Sequence, residues 1–557
     1  MKRSLAVCLC LLALPTVSAA FAAADKVAPA VKPAPVPRER SVVTRHSVVI
    51  GGKRIGYTAT AGTLVLRNAK DQPEASVFYI AYTQDGVKNS AERPLTFAYN
   101  GGPGASSNWV NIGGFGPRRV QIPNAKFAPP PPYRLVNNQY SLLDKTDLVF
   151  IDAVGTGYSI ALGKTPAKHF WGVDQDVKSF GAFIQRYLTK YDRWNSPLFL
   201  LGESYGTFRS VALANYLEQQ GDNLNGVILL SSILNFAETG PEDGFVPRYS
   251  NDLRYELTLP SYAAVACYHQ ITRCPADLKN YLKQVRVFAI GPYAAALAQG
   301  DALSVSERNA VAARLHAYTG LSERYLIESN LRVSLSRFLK ALLHGKGKEI
   351  GRFDARYDEP DLDRVGASAR QDASANAVSA AFNAGFRYYL EHDLDYHTRR
   401  HYVGLNMTAN GHWDWAHVVN GQKYVVADAV PDLREALVMN PHLLIFSANG
   451  LYDLATPFFR TEYDISHANL PAGLQNNITF GYYPAGHMLY LNPEALAKLH
   501  HDLDVFYGRA TTDGPPAAET IPRYPFGNRL PGGGGWISLA VPEKIPGRRN
   551  AVCHFRS

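Results

Sequence analysis

The stretch that most constrains the fold runs from Leu198 to Leu217, LFLLGESYGTFRSVALANYL. A short, wholly apolar run enters a glycine-flanked turn with no polar linker. It leaves the turn as a helical pattern carrying Val211, Leu213 and Leu217. A strand without polar residues on either side belongs inside a sheet covered on both faces. An immediate return as a helix is the repeating unit of a parallel sheet. The turn itself, Gly202-Glu203-Ser204-Tyr205-Gly206, fits G-x-S-x-G, the tight elbow that can lift a serine above the end of a strand.

The same rhythm recurs along the chain. Leu95–Tyr99 and Asp147–Val154 are apolar runs ending in glycine-containing loops, and Gly226–Leu230 is a further buried strand. Between them, Trp171–Tyr191 places Val173, Val177, Phe180, Ile184 and Tyr187 at helical spacing. The pattern resumes at His442–Ser447 and Ile478–Tyr482, and Pro493–Phe506 reads as a helix with proline near its start. Residues 41–83 alternate β-branched runs with turns and read as antiparallel strands. The expected fold is therefore α/β, with a mostly parallel central sheet flanked by helices. Its core comprises residues 41–234 and 436–508, interrupted at 235–435 by a mainly helical cap.

The ends read differently. Residues 1–24 combine Lys2 and Arg3, an apolar run from Leu5 to Val17 and small residues at Ala20-Phe21-Ala22, which is the pattern of a secretory signal peptide. Residues 25–40 form a Pro-rich linker, and 509–557 a Pro/Gly-rich tail. No later apolar run approaches the roughly 18 residues of a membrane helix, so no span is expected in the mature chain. Export to the periplasm or the exterior follows. Losing Lys2 and Arg3 lowers the formal charge from +9 to +7, and no dense basic block with aromatics suggests a nucleic-acid partner. Of five cysteines, Cys8 and Cys10 lie in the signal region. Cys267 and Cys274 enclose a short loop and are the expected disulfide, leaving Cys553 over.

A serine hydroxyl attacks only when a base takes its proton, and that base is usually a histidine oriented by an acid. In elbow folds the order is serine, acid, histidine. Asp453, after HLLIFS in ANGLYDLATP, and His487, after ITFGYY in PAGHMLY, follow Ser204 in that order and sit just beyond strands. Upstream, Asn100-Gly101-Gly102-Pro103-Gly104 ends a strand with little side-chain bulk. Its Gly102 N–H, with that of Tyr205, could face a developing oxyanion. Read alone, the same five residues are an ordinary tight turn.

Together, NGGPGASS (100–107), DAVGTGYS (152–159), GESYG (202–206), YDLATP (452–457) and AGHM (485–488) resemble the serine carboxypeptidase family, in family order, from about residue 90 to 505. The resemblance implies an α/β-hydrolase fold that removes single residues from peptides with a free C-terminus, without metal or cofactor. It implies Ser204 as nucleophile, Asp453 as orienting acid, His487 as base, and Gly102 and Tyr205 as oxyanion donors. Asn100, the Gly101 backbone and Glu203 would hold the substrate's carboxylate. Two positions depart from the family. Many relatives have a disulfide-bonded cysteine where this chain has Ala105. Some place a further glutamate near the position of Gly114.

The resemblance also gives Glu203 a purpose. Two carboxylates repel, but a protonated Glu203 can donate to the substrate's carboxylate, which favours acidic conditions. Alternatively, it only hydrogen-bonds within the elbow, as an acid can in esterases. An esterase or acyltransferase using the same triad is the first alternative function, and a non-catalytic binding protein a remote second. His392, Asp393, His397 and His401 have spacing compatible with metal ligation, but their polar context reads as a solvated helix. Asp358, Glu359, Asp361 and Asp363 read as surface.

Overall fold

The computed structural model describes residues 38–238 and 251–512. The signal-peptide segment, nearly all of the Pro-rich linker, most of the C-terminal tail and Cys553 lie outside the described residues. Nine strands form the path of the central sheet: β1 (Ser41–Ile50), β2 (Lys53–Arg67), β3 (Pro73–Gln84), β4 (Leu95–Tyr99), β5 (Asp147–Ile151), β6 (Leu198–Glu203), β7 (Gly226–Leu230), β8 (Leu444–Gly450) and β9 (Ile478–Tyr483). Their spatial order is β1-β2-β3-β5-β4-β6-β7-β8-β9, and a short tenth strand at Ile160–Ala161 pairs with β3. The first three strands and the β3–β5 pair are antiparallel. From β5 to β9 every pairing is parallel. The strand ends that carry Asn100, Ser204, Asp453 and His487 therefore open on one side of the sheet.

The longer helices are α1 (Val173–Lys190), α2 (Tyr205–Gln220), α3 (Leu253–Tyr268), α4 (Leu278–Phe288), α5 (Val305–Thr319), α6 (Ala373–Tyr388), α7 (Val430–Met439), α8 (Phe458–Ser466) and α9 (Pro493–Thr511). The two-residue period of the strands sorts their apolar residues onto two faces. Phe199, Leu201, Ile228 and Leu230 pack with Phe382 of α6 and with Leu499, Leu503 and Phe506 of α9. Leu198, Leu200, Val227 and Leu229 pack with Phe180 of α1, Val211 of α2 and Leu433 of α7. This double burial is why these strands contain no polar break. A third apolar cluster joins Leu257 of α3, Val285 of α4 and Leu315 of α5 to Phe458 and Phe459 of α8. The chain between β7 and β8 thus has two parts. One builds its own helical core, and the other, through α6, helps cover the sheet.

Three local expectations need correction. From Leu394 to Tyr402 the backbone is irregular, so His397 and His401 share no helix face. Among the described residues no group of three His, Cys, Asp or Glu side chains could hold a metal. Asp361 is not a surface acid: it is buried, because the Lys340 ammonium sits between it and Glu349. The last helix continues past Phe506 to Thr511. Cys267 and Cys274 are joined, with Cα atoms 4.9 Å apart.

Candidate active site

Ser204 stands between the end of β6 and the start of α2 with φ 61° and ψ −130°, a conformation L-residues avoid. Such a backbone costs about 1–3 kcal/mol and persists only where its surroundings impose it. Here Ser204 N–H donates to Leu230 O (3.0 Å), and Thr207 N–H donates to Ser204 O (2.8 Å). The turn closes so tightly that a Cβ on Gly202 would lie 2.0 Å from Gly206 O. The G-x-S-x-G glycine at that position is therefore a steric requirement.

Asp453 and His487 lie in the loops after β8 and β9. Both are buried, and His487 Nδ1–H donates to Asp453 Oδ2 over 2.8 Å. The aspartate's other oxygen accepts from Ala455 N–H (2.8 Å) and Thr456 N–H (2.9 Å). An acceptor-only carboxylate obliges Nδ1 to carry the proton, which leaves Nε2 as the basic nitrogen. Thr456 Oγ1 sits 2.6 Å from Asp453 Oδ2 and 3.1 Å from His487 Nδ1. His487 N–H donates to Phe353 O (2.6 Å), and the two rings meet at 5.1 Å. The chain between β7 and β8 thus supplies one wall of the site. Burial opposes the charged imidazolium, but Asp453 and then Glu203 outweigh it, so His487 is raised above its ordinary range. No hydrogen bond joins the Ser204 hydroxyl to His487. The end of β7 links them instead: Leu230 O accepts from Ser204 N–H, and Ser231 Oγ–H donates to His487 O (2.6 Å).

The loop after β4 lies against the elbow. A Cβ on Gly101 would approach Tyr205 N to 2.4 Å, so only glycine lets this loop touch the start of α2. Among the described residues, the N–H groups of Gly101, Gly102 and Tyr205 donate to no protein acceptor. Asn100 Nδ2 donates to Glu203 Oε1 (2.7 Å), while its Oδ1 accepts from Val110 N–H (3.0 Å). Burial pushes Glu203 up to about 7. Asp453 adds to this, while His487, the Tyr490 hydroxyl and the Asn100 amide act against it.

Both departures from the family pattern have structural counterparts. Where relatives have a disulfide-bonded cysteine, Ala105 forms a β-bridge to Leu405. Ser106 N–H donates to Gly404 O (2.9 Å), Asn406 N–H to Gly104 O (2.8 Å), and Asn410 Nδ2 to Pro103 O (3.0 Å). Residues 404–410 thus clamp the glycine loop. Near the expected glutamate, a Cβ on Gly114 would already meet Tyr490 atoms at 3.0 Å. The Tyr490 ring fills that space, and its buried hydroxyl lies beside Glu203 without an aligned hydrogen bond. Sequence reasoning missed Thr456, Phe353 and Tyr490. Thr456 carried a signal, since it lies within the YDLATP motif, whereas nothing local marks Phe353 or Tyr490.

A mixed sheet whose parallel strands deliver a strained elbow serine, an Asp–His pair and a glycine loop to one end defines an α/β-hydrolase. The chain belongs to the serine carboxypeptidase family, whose model matches residues 55–479. Serine carboxypeptidase-like 45 of Arabidopsis thaliana is 29% identical over 196 residues, covering 34% of this chain and 39% of that protein. The pheromone-processing carboxypeptidase KEX1 of Saccharomyces cerevisiae is 30% identical over 156 residues, 26% of this chain and 20% of that protein. The aligned stretches thus span well under half of these curated relatives. A crystal structure of the yeast prohormone-processing carboxypeptidase KEX1(delta)P aligns over 81% of this chain and 91% of that one, with a TM-score of 0.51 and 16% identity, a likeness of fold. Among the described residues no helix is long and apolar enough to cross a membrane.

Proposed function

We propose that the protein is an exported serine carboxypeptidase that releases C-terminal residues from peptides and works best at acidic pH. His487 Nε2 takes the proton of Ser204, whose Oγ attacks the last peptide carbonyl. The Gly102 and Tyr205 N–H groups receive the oxyanion. Collapse breaks the C–N bond as His487 passes the proton to the leaving amine. Water, deprotonated by His487, then cleaves the acyl-serine ester and restores the enzyme. Asn100, Gly101 N–H and protonated Glu203 hold the departing residue's carboxylate. The observation that carries this reading is the Asn100–Glu203 hydrogen bond beside Ser204, with burial pushing Glu203 up to about 7 so that the acid is protonated under acidic conditions. The apolar N-terminal segment and the Cys267–Cys274 link support export.

An esterase or acyltransferase is the second reading, favoured by Gly114, where a further carboxyl is absent. Digestion of a defined peptide mixture, followed by mass spectrometry, tests the first. Loss of single residues from free C-termini is expected, and Ser204→Ala should abolish it along with fluorophosphonate labelling. Ester turnover with intact peptides would favour the second reading. Labelling retained in Ser204→Ala would overturn both.

A further inference from the structure

Further along α2 from the nucleophile, Arg209 is fully buried. Its Nε–H donates to Asp176 Oδ2 of α1 over 2.6 Å. Its Nη1–H donates to the backbone carbonyl of Asn100 over 2.8 Å. Its guanidinium carbon lies 4.3 Å from the Phe180 ring centroid, 5.1 Å from that of Tyr99 and 5.2 Å from that of Tyr205. A buried charge is tolerated when it is paired, and the Asp176 carboxylate pairs this one, although Nη2 has no aligned hydrogen bond. The bond to Asn100 is not required to neutralise the pair, and its partner is the residue that begins the glycine loop.

That bond has a directional consequence. The Asn100–Gly101 peptide is trans, the cis bonds of the described chain being Gly102–Pro103 and Pro131–Pro132. In a planar trans peptide, C=O and N–H point in opposite directions. With the Asn100 oxygen drawn to Arg209, the Gly101 N–H must face away from the guanidinium, and among the described residues it has no protein acceptor. A cationic donor on the carbonyl also polarises the amide, making the N–H a stronger donor. The Asn100 side chain is fixed separately, by Glu203 and Val110 N–H.

We propose that Arg209 is a positioning residue for recognition of the substrate's C-terminal carboxylate: it holds the Asn100 carbonyl and so aims and polarises the Gly101 N–H. This rests on the carboxypeptidase reading above. Arg209 touches no substrate; it acts through the Asn100–Gly101 peptide.

Two variants test it. Arg209→Lys keeps a cation for Asp176 but lacks the fork that reaches Asn100 as well. Arg209→Met combined with Asp176→Leu removes both buried charges together, avoiding an unpaired one. KM and kcat are measured for one peptide as free acid and as C-terminal amide, with fluorophosphonate labelling confirming a folded elbow. Losing a well-aimed hydrogen bond to a charged group costs roughly tenfold or more in binding. The ratio of kcat/KM for free acid over amide should therefore fall about tenfold in labelled variants, mostly through KM of the free acid. An unchanged ratio, or equal losses on both substrates, would overturn the positioning role while leaving the carboxypeptidase reading intact. Indifference of the unmutated protein to the free carboxylate would overturn that reading, and this proposal with it.

Discussion

On the proposed reading, replacing Glu203 with glutamine separates the proton that recognises substrate from the one that moves in catalysis. Glu203 is raised from an ordinary 4.5 to about 7 by burial, and its charge helps raise His487. In the proposed mechanism the productive form has Glu203 protonated and His487 neutral, so the two titrate as a pair. For free-acid peptides, kcat/KM should fall roughly tenfold per pH unit above about 7, a hundredfold by about pH 9. Glutamine stays neutral and keeps a donor, so the alkaline fall should vanish. The acid limb should persist, because Glu203 is already uncharged there and glutamine mimics that form. Stability should follow the same group. Its folded value lies above its unfolded one, so its contribution is complete below about 4.5 and is lost as pH rises through about 7. That interval corresponds to about 3 kcal/mol, and the variant should show a flatter dependence of Tm on pH. The assay is a set of pH–rate profiles for matched free-acid and amide peptides, with thermal melts across the same range. Superimposable free-acid and amide profiles, unchanged by the substitution, would refute the reasoning.

Other outcomes follow from named contacts. The Tyr490 hydroxyl favours the ionised form of Glu203, so Tyr490→Phe should carry the alkaline limb for free-acid peptides to higher pH; a downward shift in the same profiles would contradict this. His417 lies between Asp174 (2.6 Å) and Asp432 (2.9 Å), and although burial opposes its charge these partners push it up to about 9. Its stabilisation is complete below about 6.5 and lost as pH rises through about 9, at most about 3 kcal/mol, and melts of His417→Gln should lack that alkaline decline. Opening the short Cys267–Cys274 loop by double serine substitution should cost at most about 2–3 kcal/mol, read by urea unfolding, with peptide turnover retained.

The parallel half of the sheet was legible because its strands are buried on both faces, as at Phe199 and Leu200, and so appear as unbroken apolar runs. The placement of Ser204, Asp453 and His487 at one end of the sheet was legible because each lies just past a strand, and a hydrogen bond joins Asp453 to His487. What stayed hidden depends on pairings across distant parts of the chain. Arg209 and Asn100, Phe353 and His487, and Ala105 and Leu405 meet only through the fold, and no local spacing announces them. Tyr490 escaped for a different reason. An apolar-looking residue just past a motif histidine reads as core, and only its approach to Gly114 and Glu203 gives it another meaning. Asp361 was misread because an acid among acids looks solvated until a buried lysine is found facing it.

The clamp of residues 404–410 over the glycine loop bears on how the enzyme matures. The segment from Gly101 to Ser106 is secured by backbone bridges and an asparagine side chain, and its Ala105 cannot be cross-linked. The described cysteines, Cys267 and Cys274, belong to the helical part of the chain and pair with each other. Among the described residues, no cysteine stands at the rim of the Ser204 elbow. On the proposed reading, the geometry around Ser204 should form whatever the thiol balance of the compartment that receives the chain. Reducing agents should erode the stability of the helical layer before they disturb the chemistry beneath it.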